Sequence, residues 1–181
     1  FDHSRPGKIV INHSTNILYM QNQSEKRNKL TEAVQLCTIH SERMRFAWEK
    51  VKNHFPLDKE KYKQLQPEEL SFMDQLIFRF SKLPDSMGGR LFPAILENLG
   101  EDIRELPFID RLAKLEKLNV IRSADEWMAL RETRNIVTHE YPIVTDEIIE
   151  GLNLLGQHQQ LMLDILEQVK DFVKKRFELP E

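Results

Sequence analysis

Apolar residues recur at intervals of three and four along most of the chain, the spacing of one buried face on an α-helix. Between Glu25 and Phe55 these positions are Leu30, Val34, Cys37, Met44, Trp48, Val51 and Phe55, and Ser41 is the break in the stripe. From about Thr145 to Phe177 they are Ile148, Leu152, Leu155, Met162, Leu166, Val169 and Val173, with Gln159 as the break. The two stripes predict two long amphipathic helices.

A central helix is predicted to open at Pro67 and to be buried on more than one face. Proline near the first position, followed by Glu68 and Glu69 over the positive pole, is typical of a helix start. Pro84 predicts an ending or a kink. Shorter helices are expected at 91–99 and 108–119, on either side of an acidic loop.

The segment Gly88–Gly89 follows the central helix. It does not follow a strand and lacks the spacing of a phosphate-binding loop. We therefore interpret the two glycines as a site of close packing.

A further helix is predicted after Ser123. This residue is placed as the N-cap, and Glu126 three residues later would complete a capping box. Pro142 cannot continue a helix and pushes Tyr141 out of the α region, so the helix must end near residues 139–140. Side chains at that end are expected to be poorly covered.

The elements together predict an all-α fold, an antiparallel up-and-down bundle of four main helices with shorter ones added. Ile9–Ile11 is a candidate strand, and no other is expected. Residues 1–23 lack the helical pattern and are interpreted as an N-terminal arm, ahead of a helical domain at residues 24–181. Met20 is a candidate natural first residue, in which case residues 1–19 would not be native.

Composition narrows the class of protein. A length of 181 residues suits one domain, and 30% charged with 40% hydrophobic residues is typical of a globular chain. The net charge of −3 argues against a protein that coats nucleic acid, so any RNA contact must come from a local basic patch.

The expected compartment follows from other features. Cys37, the single cysteine, predicts a reduced setting. With no apolar run near ~20 residues and no signal-peptide pattern, we expect a cytoplasmic protein without membrane association.

The candidate chemistry lies on the helix after Ser123. Arg131, Asn135 and His139 are four residues apart and should form one stripe. Arg134 precedes His139 by five residues, so the two meet only if the arginine swings across or a second copy of the helix lies alongside. The alternative is that these cations simply favour the C-terminal half of a helix, where the dipole stabilises positive charge.

The pattern Arg134-x4-His139-x-Tyr141, with Asn135 directly after the arginine, resembles the signature of the HEPN superfamily. It is similar in particular to the HepT-type ribonuclease toxins. The surroundings also resemble that family, over roughly residues 25 to 175, at Phe80-Ser81-Lys82-Leu83, Met87-Gly88-Gly89-Arg90-Leu91-Phe92-Pro93, Leu115-Glu116-Lys117-Leu118, Glu126-Trp127 and Leu130-Arg131. The resemblance implies a HEPN-like bundle that forms a homodimer, with the two motif helices near the twofold axis and no metal or other cofactor.

The same resemblance implies a metal-independent endoribonuclease toxin of a toxin–antitoxin pair. His139 would serve as acid–base catalyst and Arg134 would stabilise the phosphorane, while Asn135 orients the imidazole or binds phosphate. Arg131 is a weaker phosphate-binding candidate, because a surface ion pair would explain it equally well. Since one motif offers one histidine, acid and base are expected from two copies that share one RNA.

Tyr141 corresponds to the tyrosine that receives AMP from a partner nucleotidyltransferase antitoxin in HepT-type toxins. The resemblance implies this neutralisation here, and the alternative is a tyrosine packed behind Pro142. A second function is a non-catalytic nucleotide- or substrate-binding subunit of a nucleotidyltransferase complex. The scattered His40, His54 and His158 are interpreted as surface histidines rather than metal ligands.

Overall fold

The computed structural model describes residues 13–179, and of His13 and Glu140 it describes the backbone alone. Seven α-helices span most of this range: α1 His13–Val51, α2 Lys59–Gln64, α3 Pro67–Ser86, α4 Phe92–Asn98, α5 Phe108–Lys117, α6 Ala124–Glu140 and α7 Asp146–Phe177. A 3-10 turn, Lys52–His54, follows α1, and a π-helical stretch, Met87–Leu91, joins α3 to α4; we call it the π segment. The described residues contain no strand, which confirms the all-α prediction there. The candidate strand at Ile9–Ile11 lies outside them.

The four main helices form the predicted up-and-down bundle. Asn98 at the end of α4 donates to the carbonyl of Lys26 near the start of α1, at 2.9 Å, so the α3–α4 helix runs antiparallel to α1. Arg27 donates to the carbonyl of Phe177 at the end of α7, at 2.8 Å, so α7 is antiparallel to α1 as well.

The helix α6 lies between α3 and α7 and is antiparallel to both. On the α7 side, Gly151 allows the backbones to come close, because a Cβ there would lie 2.6 Å from Cγ2 of Ile136 and 3.2 Å from Cγ1 of Val137. Farther along, Thr133 Oγ1 and His158 Nδ1 share a hydrogen bond of 2.9 Å. The motif helix is therefore fixed in rotation by its contacts with α7, and its opposite face is turned away from that helix.

The core accommodates both breaks in the long stripes. The hydroxyl of Ser41 donates to the carbonyl of Thr38 at 2.8 Å, and Gln159 is buried in α7. Cys37 lies in the core as its stripe predicts, and burial raises the pKa of its thiol to about 12.

Two boundaries differ from the prediction. The first helix begins by His13 rather than near Glu25, and residues 14–25 are helical but exposed. They make one continuous helix with the domain, so the described part of the expected arm is an extension of α1. The helix α2, capped by the Asp58 carboxylate on the N–H of Lys61, was not predicted, because it is only six residues long.

The central helix opens at Pro67 as predicted, with a capping box between Gln66 and Glu69. It does not end at Pro84, which lies inside α3. The regular pattern changes three residues later, where the N–H of Phe92 bonds to the carbonyl of Met87, five residues back. The α3–α4 helix is thus nearly continuous, with one wide turn at the two glycines.

Candidate functional site

The motif helix begins and ends where the sequence predicts. Ser123 accepts a hydrogen bond from the N–H of Glu126 at 3.2 Å, as an N-cap does. The reciprocal half of the capping box does not form, because the Glu126 carboxylate binds Arg122 instead, at 2.7 Å. At the other end, α6 stops at Glu140, and Tyr141 has an extended backbone.

Three of the predicted site residues share one cavity. Arg131, Arg134 and Asn135 line an open cavity of about 480 Å³. Its other walls come from the end of α3, the π segment, the start of α5 and the first turn of α6; they are Pro84, Asp85, Gly88, Gly89, Phe108, Arg111 and Trp127. We call this space the α6 cavity.

Arg134 is held by a carboxylate from a distant part of the chain. Its Nη2 donates to Asp85 Oδ2 at 2.8 Å and its Nη1 donates to Asn135 Oδ1 at 3.1 Å. Its Nε is buried and has no hydrogen-bond partner among residues 13–179. With 30% of its side chain exposed, the guanidinium is accessible and keeps an unused donor.

Arg131 packs on an aromatic ring of α5. Its guanidinium carbon lies 5.0 Å from the ring centroid of Phe108, within the range of a cation–π contact. The surface ion pair considered for Arg131 does not occur within the described chain. Its charge therefore stays unneutralised at the edge of the α6 cavity.

His139 lies one turn beyond Asn135 on the same face of α6. Its side chain is exposed and does not line the α6 cavity. It makes no hydrogen bond or ion pair within residues 13–179. In a single chain, therefore, Arg134 lines the α6 cavity and His139 does not.

Tyr141 turns toward α2 and α3. Its hydroxyl donates to Asp74 and accepts from the hydroxyl of Tyr62 at 3.2 Å. Burial, and then the hydrogen bonds to Asp74 and Tyr62, raise the pKa of Tyr141 far above its ordinary value.

The two ends of the motif meet α3 at different heights. Asp74 and Asp85 are eleven residues apart in α3, which corresponds to about 16 Å along the helix axis. Arg134 and Tyr141 belong to one motif but therefore contact separate positions on α3.

The other histidines are less exposed than predicted. His40 is buried, and its Nδ1 shares a hydrogen bond of 2.9 Å with Arg79. Burial and the nearby positive charges, chiefly Arg79, lower its pKa, and burial lowers the pKa of the half-buried His158. His54 pairs with Glu69 at 2.8 Å. The surface interpretation is thus wrong for His40, which is buried, whereas His54 and His158 are both partly exposed. Within the described chain, no group of three or more potential ligand side chains is placed to hold a metal ion.

A basic and aromatic face on α1 and α3 was missed at the sequence level. Phe78 is 49% exposed, and Arg79 and Lys82 lie 5.0 and 5.6 Å from its ring centroid. On α1, Lys50 lies 5.3 Å from the ring centroid of the exposed Phe46. The spacing of rings and cations in each helix is the signal that could have revealed this local patch on an acidic chain.

A larger cavity, of about 880 Å³, lies between the first turns of α1 and the loop at 100–104. It contains no residue of α6, and its lining mixes acids, amides and cations with the apolar Leu18 and Ile103. The α6 cavity is smaller but gathers the motif arginines, so we take it as the candidate site.

Comparisons with known proteins leave the family open. No profile of a known protein family matches the chain, and no solved structure matches it. Leucine–tRNA ligase 1 of Sulfolobus acidocaldarius is 29% identical over 83 residues, which are 45% of this chain and 8% of the ligase. The chain thus spans only a small part of that relative, too little to carry an activity over. Among residues 13–179, no helix combines the length and apolar character that a bilayer span requires.

Proposed function

We propose that this chain is a metal-independent endoribonuclease, the toxin of a toxin–antitoxin pair, as the HEPN-like motif implies. The observation that carries the proposal is the arrangement on α6. Arg131, Arg134 and Asn135 line one open cavity, and His139 is exposed one turn farther along the same helix. Cationic donors and an accessible imidazole are what phosphodiester cleavage without a metal needs.

In the proposed reaction, a ribose 2′-oxygen attacks the adjacent phosphorus. The imidazole of one His139 accepts the 2′-hydroxyl proton, and the imidazolium of a second His139 donates a proton to the leaving 5′-oxygen. The P–O5′ bond breaks, giving a 2′,3′-cyclic phosphate and a free 5′-hydroxyl. Arg134 would exchange the Asp85 carboxylate for the non-bridging phosphate oxygens.

The second histidine requires a homodimer. Exposed apolar side chains near the motif support such an interface. Phe78 lies one turn after Asp74, the partner of Tyr141, and Ile143, which is 72% exposed, lies two residues after Tyr141. Burying these side chains across a twofold axis would bring the motif helices of two chains together.

Neutralisation by AMP transfer to Tyr141 is the finer part of the proposal. Asp74 already accepts the tyrosine proton in a hydrogen bond, so it could take that proton as the phenolic oxygen attacks the α-phosphorus of ATP. A bond forms between that oxygen and phosphorus while pyrophosphate leaves. The added phosphate could not remain beside the Asp74 carboxylate without repulsion, so the modified side chain would turn outward toward the RNA path.

A second candidate is a non-catalytic nucleotide-binding subunit of a nucleotidyltransferase complex. It is favoured by one observation, that in a single chain Arg134 is engaged by Asp85 and His139 does not line the α6 cavity. Such an arrangement could bind a nucleotide without cutting RNA.

Cleavage of a mixed-sequence RNA in the presence of a chelator separates the two candidates. We expect wild-type protein free of AMP, as checked by intact mass, to produce 2′,3′-cyclic phosphate ends. The substitution His139→Ala should lower the rate by about 100- to 10,000-fold. The matched control is His54→Ala, since His54 pairs with Glu69 away from the motif helix.

Equal cleavage by wild type and His139→Ala, or no cleavage by either, would leave the binding subunit as the better assignment. A rate per chain that falls on dilution below the dimerisation constant would support the composite site. Dilution without any loss of rate would contradict it.

A further inference from the structure

Three buried side-chain nitrogens within residues 13–179 have no hydrogen-bond partner. They are Nε of Arg79, Nε1 of Trp127 and Nε of Arg134, and the last two belong to side chains that line the α6 cavity. An unpaired buried donor destabilises the folded state, so folded proteins rarely keep one without a reason. Two such donors at one cavity indicate that the cavity takes a ligand with hydrogen-bond acceptors.

Trp127 lines this cavity, and the buried Nε1 edge of its indole lies beside Gly88. Its side chain is only 1% exposed and packs against the buried Phe92, with the ring centroids 4.7 Å apart and the ring planes tilted by 59°. Cζ2, on the same edge of the indole as Nε1, lies 3.7 Å from where a Cβ of Gly88 would be. Gly88 lines the cavity, and its missing side chain leaves space in front of that edge.

The remaining wall favours a ligand that is both anionic and planar. Arg111, Arg131 and Arg134 contribute three positive charges against the single carboxylate of Asp85. Arg111 is fixed, because its guanidinium donates to the carbonyls of Leu106 and Ile103 at 2.8 and 3.0 Å.

Planar surfaces are available as well. The Arg131 guanidinium lies over the ring of Phe108, and an aromatic base can stack on the outer face of that guanidinium. The cavity volume of about 480 Å³ is in the range of small-ligand sites.

We infer that the α6 cavity is a nucleotide-binding subsite, which holds the phosphate of one nucleotide on Arg131 and Arg134 and offers the indole N–H of Trp127 to an acceptor atom of its base or phosphate. The nucleotide is either one unit of an RNA chain or a free mononucleotide. The RNA source rests on the proposed nuclease function, in which this subsite would hold the nucleotide beside the cleaved bond. Binding itself does not require cleavage.

The test uses full-length His139→Ala protein, so that binding is measured without cleavage. The probes are AMP, CMP, GMP and UMP, the four nucleosides, and inorganic phosphate. Adding Trp48→Phe leaves Trp127 as the one tryptophan, so its fluorescence reports directly on the cavity. We expect at least one mononucleotide to change this fluorescence saturably, and to bind more tightly than phosphate or the nucleosides.

Two variants then assign the contacts. Trp127→Phe, followed by calorimetry, should weaken mononucleotide binding about five- to tenfold, the effect of one hydrogen bond to a charged or polar acceptor. Trp48→Phe is the matched control and should bind as before, since Trp48 packs on Phe55 away from α6. If Trp127→Phe fails to fold, Arg131→Gln, a change at an exposed residue, should show a similar loss.

Competition identifies the source of the nucleotide. A short RNA that displaces the mononucleotide assigns the subsite to RNA, and simultaneous binding of both assigns it to a free mononucleotide. Three results would overturn the inference: no saturable change with any mononucleotide, phosphate binding as tightly as every mononucleotide, or equal weakening by Trp48→Phe and Trp127→Phe. None of these readouts depends on RNA cleavage, so a failed nuclease assay would leave the subsite standing.

Discussion

Both ends of the motif bind an aspartate of α3, but the side chain at one end is fully hydrogen-bonded and the side chain at the other is not. At one end Tyr141 donates to Asp74 and accepts from Tyr62, so its half-buried hydroxyl uses both of its hydrogen-bonding roles. At the other end Arg134 binds Asp85 but keeps a buried Nε without a partner in the described chain, beside an open cavity.

The difference separates a structural attachment from an exchangeable one. An exposed ion pair contributes only about 0–1 kcal/mol, so a phosphate can replace Asp85 on Arg134 at little cost. A half-buried hydroxyl that is fully paired loses both bonds when it leaves, and its partners lose theirs. We therefore expect substitutions at the Arg134 end to change activity, and substitutions at the Tyr141 end to change stability.

The largest effect should come from the guanidinium itself. Arg134→Ala is expected to lower the rate of RNA cleavage about 100- to 1,000-fold, because a preorganised donor on the developing charge is lost. Arg134→Lys should recover little, since an ammonium lacks the planar fork of donors. Arg122→Ala, which breaks an exposed pair with Glu126 at the start of the motif region, serves as the control in the same assay. Near-wild-type cleavage by Arg134→Lys would contradict a bidentate role.

A smaller effect, on stability, is expected at the other end. Tyr141→Phe should lower the free energy of unfolding by about 1–2 kcal/mol, because Asp74 and Tyr62 lose a hydrogen-bond partner. Urea denaturation measures this change, and Tyr62→Phe, which removes one of the two bonds, should cost less. AMP-free Tyr141→Phe should still cut RNA within about twofold of wild type. A loss of cleavage as large as that of Arg134→Ala would place Tyr141 in the reaction instead.

The pH dependence of stability in the alkaline range provides a second test of the hydrogen bonds of Tyr141. Because the folded pKa of Tyr141 is raised, the unfolded chain loses this proton first, at about pH 10. Its contribution to stability is therefore fully present below that pH and is lost as the pH rises toward the folded pKa. The advantage of wild type over Tyr141→Phe should therefore shrink progressively as the pH rises above about 10. Cys37, whose pKa is raised to about 12, adds the same slope to both proteins and cancels in the comparison.

The smallest effect should follow removal of the carboxylate that Arg134 now holds. Asp85→Asn is expected to tighten RNA binding to His139→Ala protein by about two- to fivefold, because phosphate no longer competes with Asp85. Asp74→Asn, the same substitution eleven residues earlier on α3, is the matched control and should lower stability without tightening binding. Equal tightening by both would indicate a general charge effect rather than release of Arg134.

Local sequence signals predicted much of this fold. The three-and-four stripes located the long helices, and Ser123, Pro67 and Pro142 marked helix boundaries that the structure confirms. The early start of α1 was missed because residues 14–25 bury nothing, so no apolar stripe records them. Pro84 left an ending or a kink open, because a proline inside a helix and one at its end look alike in sequence; the structure excludes the ending.

The contacts of the candidate site were harder to predict from the sequence than the helices were. The stripe of Arg131, Asn135 and His139 follows from helical spacing alone. The bond between Arg134 and Asp85 joins residues 49 positions apart, and the unpaired indole of Trp127 depends on how Phe92 and Gly88 pack around it. His40 was placed on the surface for the same reason, since only tertiary packing shows that α3 covers it.

The wide turn at Met87–Leu91 makes the shape of the α6 cavity depend on a single residue of chain length. A π turn contains one residue more than the α-helical turn that could replace it, and the helices on either side keep their facing. Deleting one of the two glycines would leave Phe80 and Phe92 directed into the core, while flattening the wall that opposes Trp127. A single deletion at this turn is therefore expected to close the cavity without unfolding the protein.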